Sequence, residues 1–138
     1  MPIHELLKDV YFFKNFSTDE LKLIEPICVR TKYAAQHLIF NSGDPASKMF
    51  LIEVGTVNLI KNNKIIASIG KGGMFGEMPF LDDGNRSTSA QTLEETHLIE
   101  IPYIKMAQLL LNNPETALKF YTTFARYVSK RLRNTLEE

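Results

Sequence analysis

Glu77 and Arg86 are the side chains whose type and spacing point most directly to chemistry. They stand in the run Gly72-Gly73-Met74-Phe75-Gly76-Glu77-Met78-Pro79-Phe80-Leu81, followed by Asp82-Asp83-Gly84-Asn85-Arg86-Ser87-Thr88. The glycines deliver the chain to a short helical turn that begins near Glu77. Backbone N–H groups at such a start point outward together and suit an anion. Arg86 returns nine residues after Glu77, beyond an acidic turn, next to two hydroxyls. Phosphate needs this kind of partner, a planar guanidinium with neutral donors around it. A carboxylate in the same pocket repels phosphate unless it accepts hydrogen bonds from sugar hydroxyls. The pair therefore suits a ligand with ribose and phosphate side by side. As bare residues, the same run also reads as a glycine turn, a capping glutamate and a solvated arginine.

Other chemistries fail on spacing. The stretch Gly70-Lys71-Gly72-Gly73-Met74-Phe75 has Phe75 where a dinucleotide fingerprint needs its third glycine, and no βαβ unit surrounds it. A P-loop fails because Lys71 is followed by Gly72 and Ile65 stands at the upstream glycine position. Ser68 has Ile66 two residues before it, so it makes no nucleophile elbow. His4, His37 and His97 are far apart and suggest no metal set. Cys28, the single cysteine, reads as a small buried hydrophobe and allows no intramolecular disulfide. No catalytic residues, metal ligands or cofactor are expected.

The elements that must position Glu77 and Arg86 follow from composition and period. The 138 residues make one domain-sized chain, 44% hydrophobic and 23% charged, which excludes a disordered or collagen-like polymer. Sixteen basic and sixteen acidic residues cancel, which argues against a general nucleic-acid binder. No apolar run is longer than four residues, so no membrane span is expected. Met1–Lys14 lacks the pattern of a signal peptide, and with one cysteine the expected home is reducing and cytoplasmic. Ser17-Thr18-Asp19-Glu20 resembles a helix start, and Pro26 ends or kinks that helix near Glu25. Residues 29–102 read as six or seven short antiparallel strands, with turns at Asn41–Pro45 and Asn62-Asn63. Beyond Pro102 the period becomes helical: Ile104–Leu111 first, then a helix of about 22 residues capped by Asn113 and opened by Pro114. Leu118, Tyr121, Ala125, Val128 and Leu132 form one stripe on it, and Phe120, Phe124 and Tyr127 a second apolar face. One face is expected to pack on the strands, the other on a ligand or a second subunit. The fold class is thus mainly β with flanking helices: an antiparallel, jelly-roll-like β-roll with an N-terminal helical element, a short helix after Gly76 and a long C-terminal helix.

Gly72–Glu77 and Arg86-Ser87 resemble the phosphate-binding cassette of cyclic nucleotide-binding domains, whose pattern is Gly-x-x-Phe-Gly-Glu and, about nine residues on, Arg-Ser/Thr. The likeness extends to Val10–Val29, to the Phe40…Gly43-Asp44 turn, to Glu53-Val54-Gly55 and to Asn113-Pro114-Glu115. It covers nearly the whole chain, which reads as one such domain over 1–138. Its parts are a helical element 1–28, a roll 29–102 with the cassette at 72–88, and C-terminal helices 103–138. The family includes the sensor domains of catabolite activator protein-like regulators and of cyclic nucleotide-dependent kinases and channels.

The resemblance implies a non-catalytic sensor for cyclic AMP or cyclic GMP that signals through its C-terminal helix. Glu77 would accept from the ribose 2′-hydroxyl, and Arg86 would pair with the cyclic phosphate. N–H groups around Gly76 and Met78, with Ser87 and its neighbour Thr88, would complete the cradle. Leu59 and Ile66 would line the base pocket; Arg131 and Leu132 would close over the base. Ser87, shorter than the threonine that often meets guanine, implies a modest preference for cyclic AMP. Pro79 departs from the usual Ala or Gly and removes one N–H, at a cost of about 1 kcal/mol. Arg86→Leu is expected to weaken binding roughly 30- to 1000-fold and hardly to change folding. The helix-turn-helix domain that follows this helix in the family's transcription factors has no room before Glu138, so direct DNA binding by this chain is not expected. The alternative on the same fold is a ligand-free interaction domain that uses its last helix to form a homodimer or to dock an effector protein.

Overall fold

The computed structural model describes residues 1–137, which divide into two compact units, one of residues 1–26 and 107 onward and one of residues 27–106. The second unit is the roll. Its strands are β1 (Val29–Tyr33), β2 (Leu38–Phe40), β3 (Lys48–Val54), β4 (Val57–Lys61), β5 (Lys64–Ile69), β6 (Met74–Phe75), β7 (Ser89–Thr92) and β8 (Thr96–Pro102). They pair antiparallel in two four-stranded sheets, ordered β1-β8-β3-β6 and β2-β7-β4-β5. Eight strands replace the six or seven expected, because β2 and β6 are only three and two residues long and carry no readable alternation. Period-2 patterning sends Phe50, Ile52 and Leu98 into one cluster with Val57, Phe75 and Ala90. Phe50 and Phe75 stack at 4.8 Å in its middle. Asn62 and Asn63 both take positive φ, 53° and 63°, as a tight hairpin between β4 and β5 requires.

The first unit is helical: α1 (Ile3–Leu7), α2 (Thr18–Ile24) and α5 (Pro114–Glu137), while α4 (Tyr103–Asn112) runs across the division. Ser17 Oγ accepts from the Glu20 N–H at 3.1 Å and Glu20 accepts from the Ser17 N–H at 2.9 Å, a complete capping box. A 3₁₀ turn, Glu25–Ile27, then carries the chain past Pro26. Asn113 stands at the expected N-cap of α5, its carbonyl accepting from the Ala117 N–H at 2.9 Å, while its side-chain amide donates to the Leu109 carbonyl at 2.8 Å and closes the end of α4. Cys28 is only partly buried, just past the 3₁₀ turn.

The two apolar faces of α5 meet different fates. Thr116, Phe120, Thr123 and Phe124 are buried, with Phe12 stacked on Phe124 at 4.1 Å and Phe13 on Phe120 at 6.0 Å. The Leu118–Leu132 stripe is exposed instead: Leu118 70%, Tyr121 46%, Val128 38%, Leu132 58%. Phe120 and Phe124 each remove roughly 150–250 Å² from water and carry no polar atom, whereas the outward stripe has Tyr121 with its hydroxyl and smaller side chains beside it, so the phenylalanine face takes the interior.

Candidate functional site

The turn Asn41–Asp44 holds Arg86 by its backbone. Gly43 N–H donates to the Arg86 carbonyl at 2.7 Å, and Arg86 N–H to the Asp44 carbonyl at 2.8 Å. From there the side chain runs inward and is 6% exposed. Nη1 donates to the Gly76 carbonyl at 2.9 Å and to the Tyr103 hydroxyl at 3.3 Å; Nη2 donates to the Lys48 carbonyl at 2.7 Å. The guanidinium carbon lies 4.1 Å from the Phe40 ring centroid and 5.7 Å from that of Phe50. Among the described residues, Arg86 Nε is the buried side-chain polar atom without a hydrogen-bond partner. Burial pulls the Arg86 pKa down, opposed by Tyr103 and by the charges of Asp44 and Glu77. Arginine stays charged through such a shift, since its reference value lies so high.

Gly76 takes φ +76°, and a Cβ there would meet Arg86 Nη1 at 2.8 Å and Phe50 Cδ2 at 3.1 Å. Only glycine fits this turn without displacing the arginine. Glu77, 7% exposed, follows as the N-cap residue of α3 (Met78–Asp82). Met78 is 37% exposed, and Pro79 is buried in the first turn, where a missing N–H leaves no intrahelical bond unmade. Asp83, at φ 56°, ends the helix by donating its N–H to the Pro79 carbonyl at 2.9 Å. Ser87 is exposed and Thr88 partly buried on the way to β7.

The remaining predicted residues lie elsewhere. Leu59 is partly buried on β4 and packs against the roll's core cluster. Ile66 is 57% exposed on β5, at the register shift where Leu59 pairs with Ala67 and Ile60 with Ile65. Arg131 and Leu132 belong to the helical unit and are exposed; Arg131 Nη1 donates to the Tyr127 hydroxyl at 3.3 Å. The structure thus brings together Gly76, Glu77, Met78 and Arg86, with Ser87 and Thr88 adjoining.

Sequence reasoning missed Tyr103, Lys48 and Phe40 as neighbours of the arginine. Tyr103 donates its hydroxyl to the Gly76 carbonyl, accepts from Arg86 and lays its ring 5.3 Å from that of Phe80 in α3. Burial pushes its pKa up, against the pull of Arg86, so the hydroxyl keeps its proton. Lys48 and Phe40 act through a carbonyl and a ring face, which no motif records.

A second polar cluster lies in the roll, around Glu100. Its carboxylate accepts from Thr31 (2.8 Å), Tyr33 (2.7 Å) and Lys48 (2.5 Å). Burial raises the Glu100 pKa, but these donors outweigh it and bring it down. Burial and the facing carboxylate push Tyr33 up to about 12. Among the described residues no group of three or more His, Cys, Asp or Glu could hold a metal ion, and no helix is long and apolar enough to cross a membrane.

The family model for the cyclic nucleotide-binding domain matches residues 30–113, a segment that contains every cassette residue above. The chain is 31% identical over 100 residues to the cyclic AMP receptor protein of Thermus thermophilus, a match covering 69% of this chain and 46% of that protein. It is also 31% identical over 121 residues to glutaminase 2 of Bradyrhizobium diazoefficiens, covering 86% of this chain and 19% of that protein. The chain therefore spans less than half the length of these curated relatives. A cyclic nucleotide-binding domain from Methylobacillus flagellatus superposes with a TM-score of 0.82 at 26% identity, over 99% of this chain and 79% of that one. With more than half of its residues inside the family model, the chain belongs to the cyclic nucleotide-binding domain family.

Proposed function

We propose that this chain is a non-catalytic sensor that binds cyclic AMP or cyclic GMP and passes the signal on through its last helix. One observation carries the reading: Glu77 and Arg86, the carboxylate and guanidinium of the cassette, are both buried within the segment that the family model matches. Charge is held out of water only where something compensates it. Here the charges of Asp44 and Glu77 compensate that of Arg86 in part, and a cyclic phosphate would add to them. In this reading Glu77 accepts from the ribose 2′-hydroxyl, Arg86 pairs with the phosphate, and the N–H groups around Gly76 and Met78 join Ser87 in the cradle, with Thr88 at its rim. Leu59 and Ile66 form the base wall, and Arg131 with Leu132 the lid. The compartment proposed is the cytoplasm, on the strength of the lone cysteine.

Calorimetric titration with cyclic AMP, cyclic GMP and plain AMP tests the reading. The expected result is saturable binding of a cyclic nucleotide and at least tenfold weaker binding of AMP. Heat from neither cyclic form overturns it. Competition between the two cyclic forms checks the modest preference for cyclic AMP, which cyclic GMP binding tenfold tighter would reverse.

The exposed stripe on α5 favours a second reading beside the first. Leu118, Tyr121, Ala125, Val128 and Leu132 recur at alternating spacings of three and four, the pattern of a two-helix seam. The partner proposed for it is a second copy of this chain or an effector helix.

A further inference from the structure

The donors of Arg86 point into the protein. Nη1 and Nη2 serve two backbone carbonyls and one hydroxyl, the ring of Phe40 covers a face, and Nε is sealed from any water-sized oxygen. In this pose the guanidinium offers an incoming anion almost nothing, since the whole residue is 6% exposed. A phosphate that pairs with it must replace an internal acceptor. The Lys48 and Gly76 carbonyls hold bonds of 2.7 and 2.9 Å, whereas the Tyr103 hydroxyl holds the longest, at 3.3 Å. Tyr103 also donates to Gly76, so that carbonyl stays satisfied when the arginine leaves.

We infer that Tyr103 is a latch on the cassette: its hydroxyl, accepting from Arg86 while donating to Gly76, holds the guanidinium in the inward pose that cyclic nucleotide binding must undo. This inference rests on the reading of Arg86 as the phosphate's partner. Only a hydroxyl performs both tasks, because it donates and accepts at one atom. The Tyr103 ring, braced against Phe80, and its N–H, donated to the Ser47 carbonyl at 2.8 Å, fix that atom in place. A binding-competent state that is only fractionally populated lowers the apparent association rate and affinity by that fraction. Loosening the latch therefore speeds binding, whereas loosening a residue that merely aligned Arg86 for the bound phosphate would slow it or hasten release.

The test is Tyr103→Phe in the full chain, which removes one oxygen and keeps the ring. Rapid mixing with cyclic AMP, and separately with cyclic GMP, should show association faster by about five- to tenfold, with dissociation changed less than twofold. Unchanged or slower association overturns the latch. A second measurement needs no variant: the Arg86 Nε–H resonance of the wild-type chain should be protected from exchange with water and should shift when cyclic AMP is added. An Nε–H that exchanges like that of an exposed arginine overturns the latch even if binding is normal. If the wild-type chain binds neither nucleotide, the reading of the site falls, while protected Nε–H exchange would still show the inward pose.

Discussion

Arg86, proposed above as the phosphate's partner, also holds the fold around it. Its sequence context, between Asn85 and Ser87 in an acidic loop, predicts little effect on folding. The correction follows from its partners: the carbonyls of Gly76 and Lys48, the Tyr103 hydroxyl and the Phe40 face. Arg86→Leu strands the Lys48 carbonyl, since Tyr103 still serves that of Gly76, and should cost about 1–3 kcal/mol of stability, read from urea midpoints. Binding loss in that variant mixes two causes, so Ser87 is the cleaner probe. It is exposed, and Ser87→Ala should leave unfolding unchanged while weakening cyclic nucleotide binding about three- to tenfold. Equal affinity would take Ser87 out of the cradle. Gly76→Ala combines a positive φ with a Cβ 2.8 Å from Arg86 Nη1 and should cost about 1–3 kcal/mol, checked by thermal unfolding.

At the scale of elements, α2 and α5 are tied through Glu20. Burial raises the Glu20 pKa, but bonds from Lys119 (2.6 Å), the Ser17 N–H and Thr116 (2.5 Å) more than reverse this and bring it from 4.5 to about 2. A depressed carboxylate pKa adds stability above its unfolded value and loses it as pH falls through its folded value. Wild-type and Glu20→Gln melting temperatures should therefore differ most above pH 4.5 and converge as pH drops toward 2. A constant gap across that window would deny Glu20 this role. The outward stripe of α5 allows a separate check. Leu132, 58% exposed, can accept a charge without disturbing the buried phenylalanine face. Leu132→Glu should shift light scattering toward the monomer if the stripe joins two copies, and should lower nucleotide affinity if the residue is part of a lid. The sequence offered both faces of this helix without ranking them.

At the scale of the whole molecule, a ligand that binds only the folded chain stabilises it by mass action. Cyclic nucleotide at about one hundred times its dissociation constant should add ~2.7 kcal/mol, visible as a rise in melting temperature that plain AMP does not produce. Residue types along the chain were enough for the strand-rich middle, the helix start at Ser17-Thr18-Asp19-Glu20, the Asn62-Asn63 hairpin and the linear run from Gly72 to Thr88. Those features are local: they rest on φ preferences, on side chains three residues apart and on alternation along one strand. Tertiary structure alone decided which face of α5 is buried, and that Ile66 falls at a register shift and lies exposed. It also decided that Arg86 is surrounded by Phe40, Lys48, Gly76 and Tyr103, positions up to 46 residues away in the chain. Such partners are chosen by how two sheets close over one core, and they contribute a carbonyl, a ring face or a hydroxyl. Nearly any residue supplies a carbonyl, so no pattern of residue types along the chain can announce it.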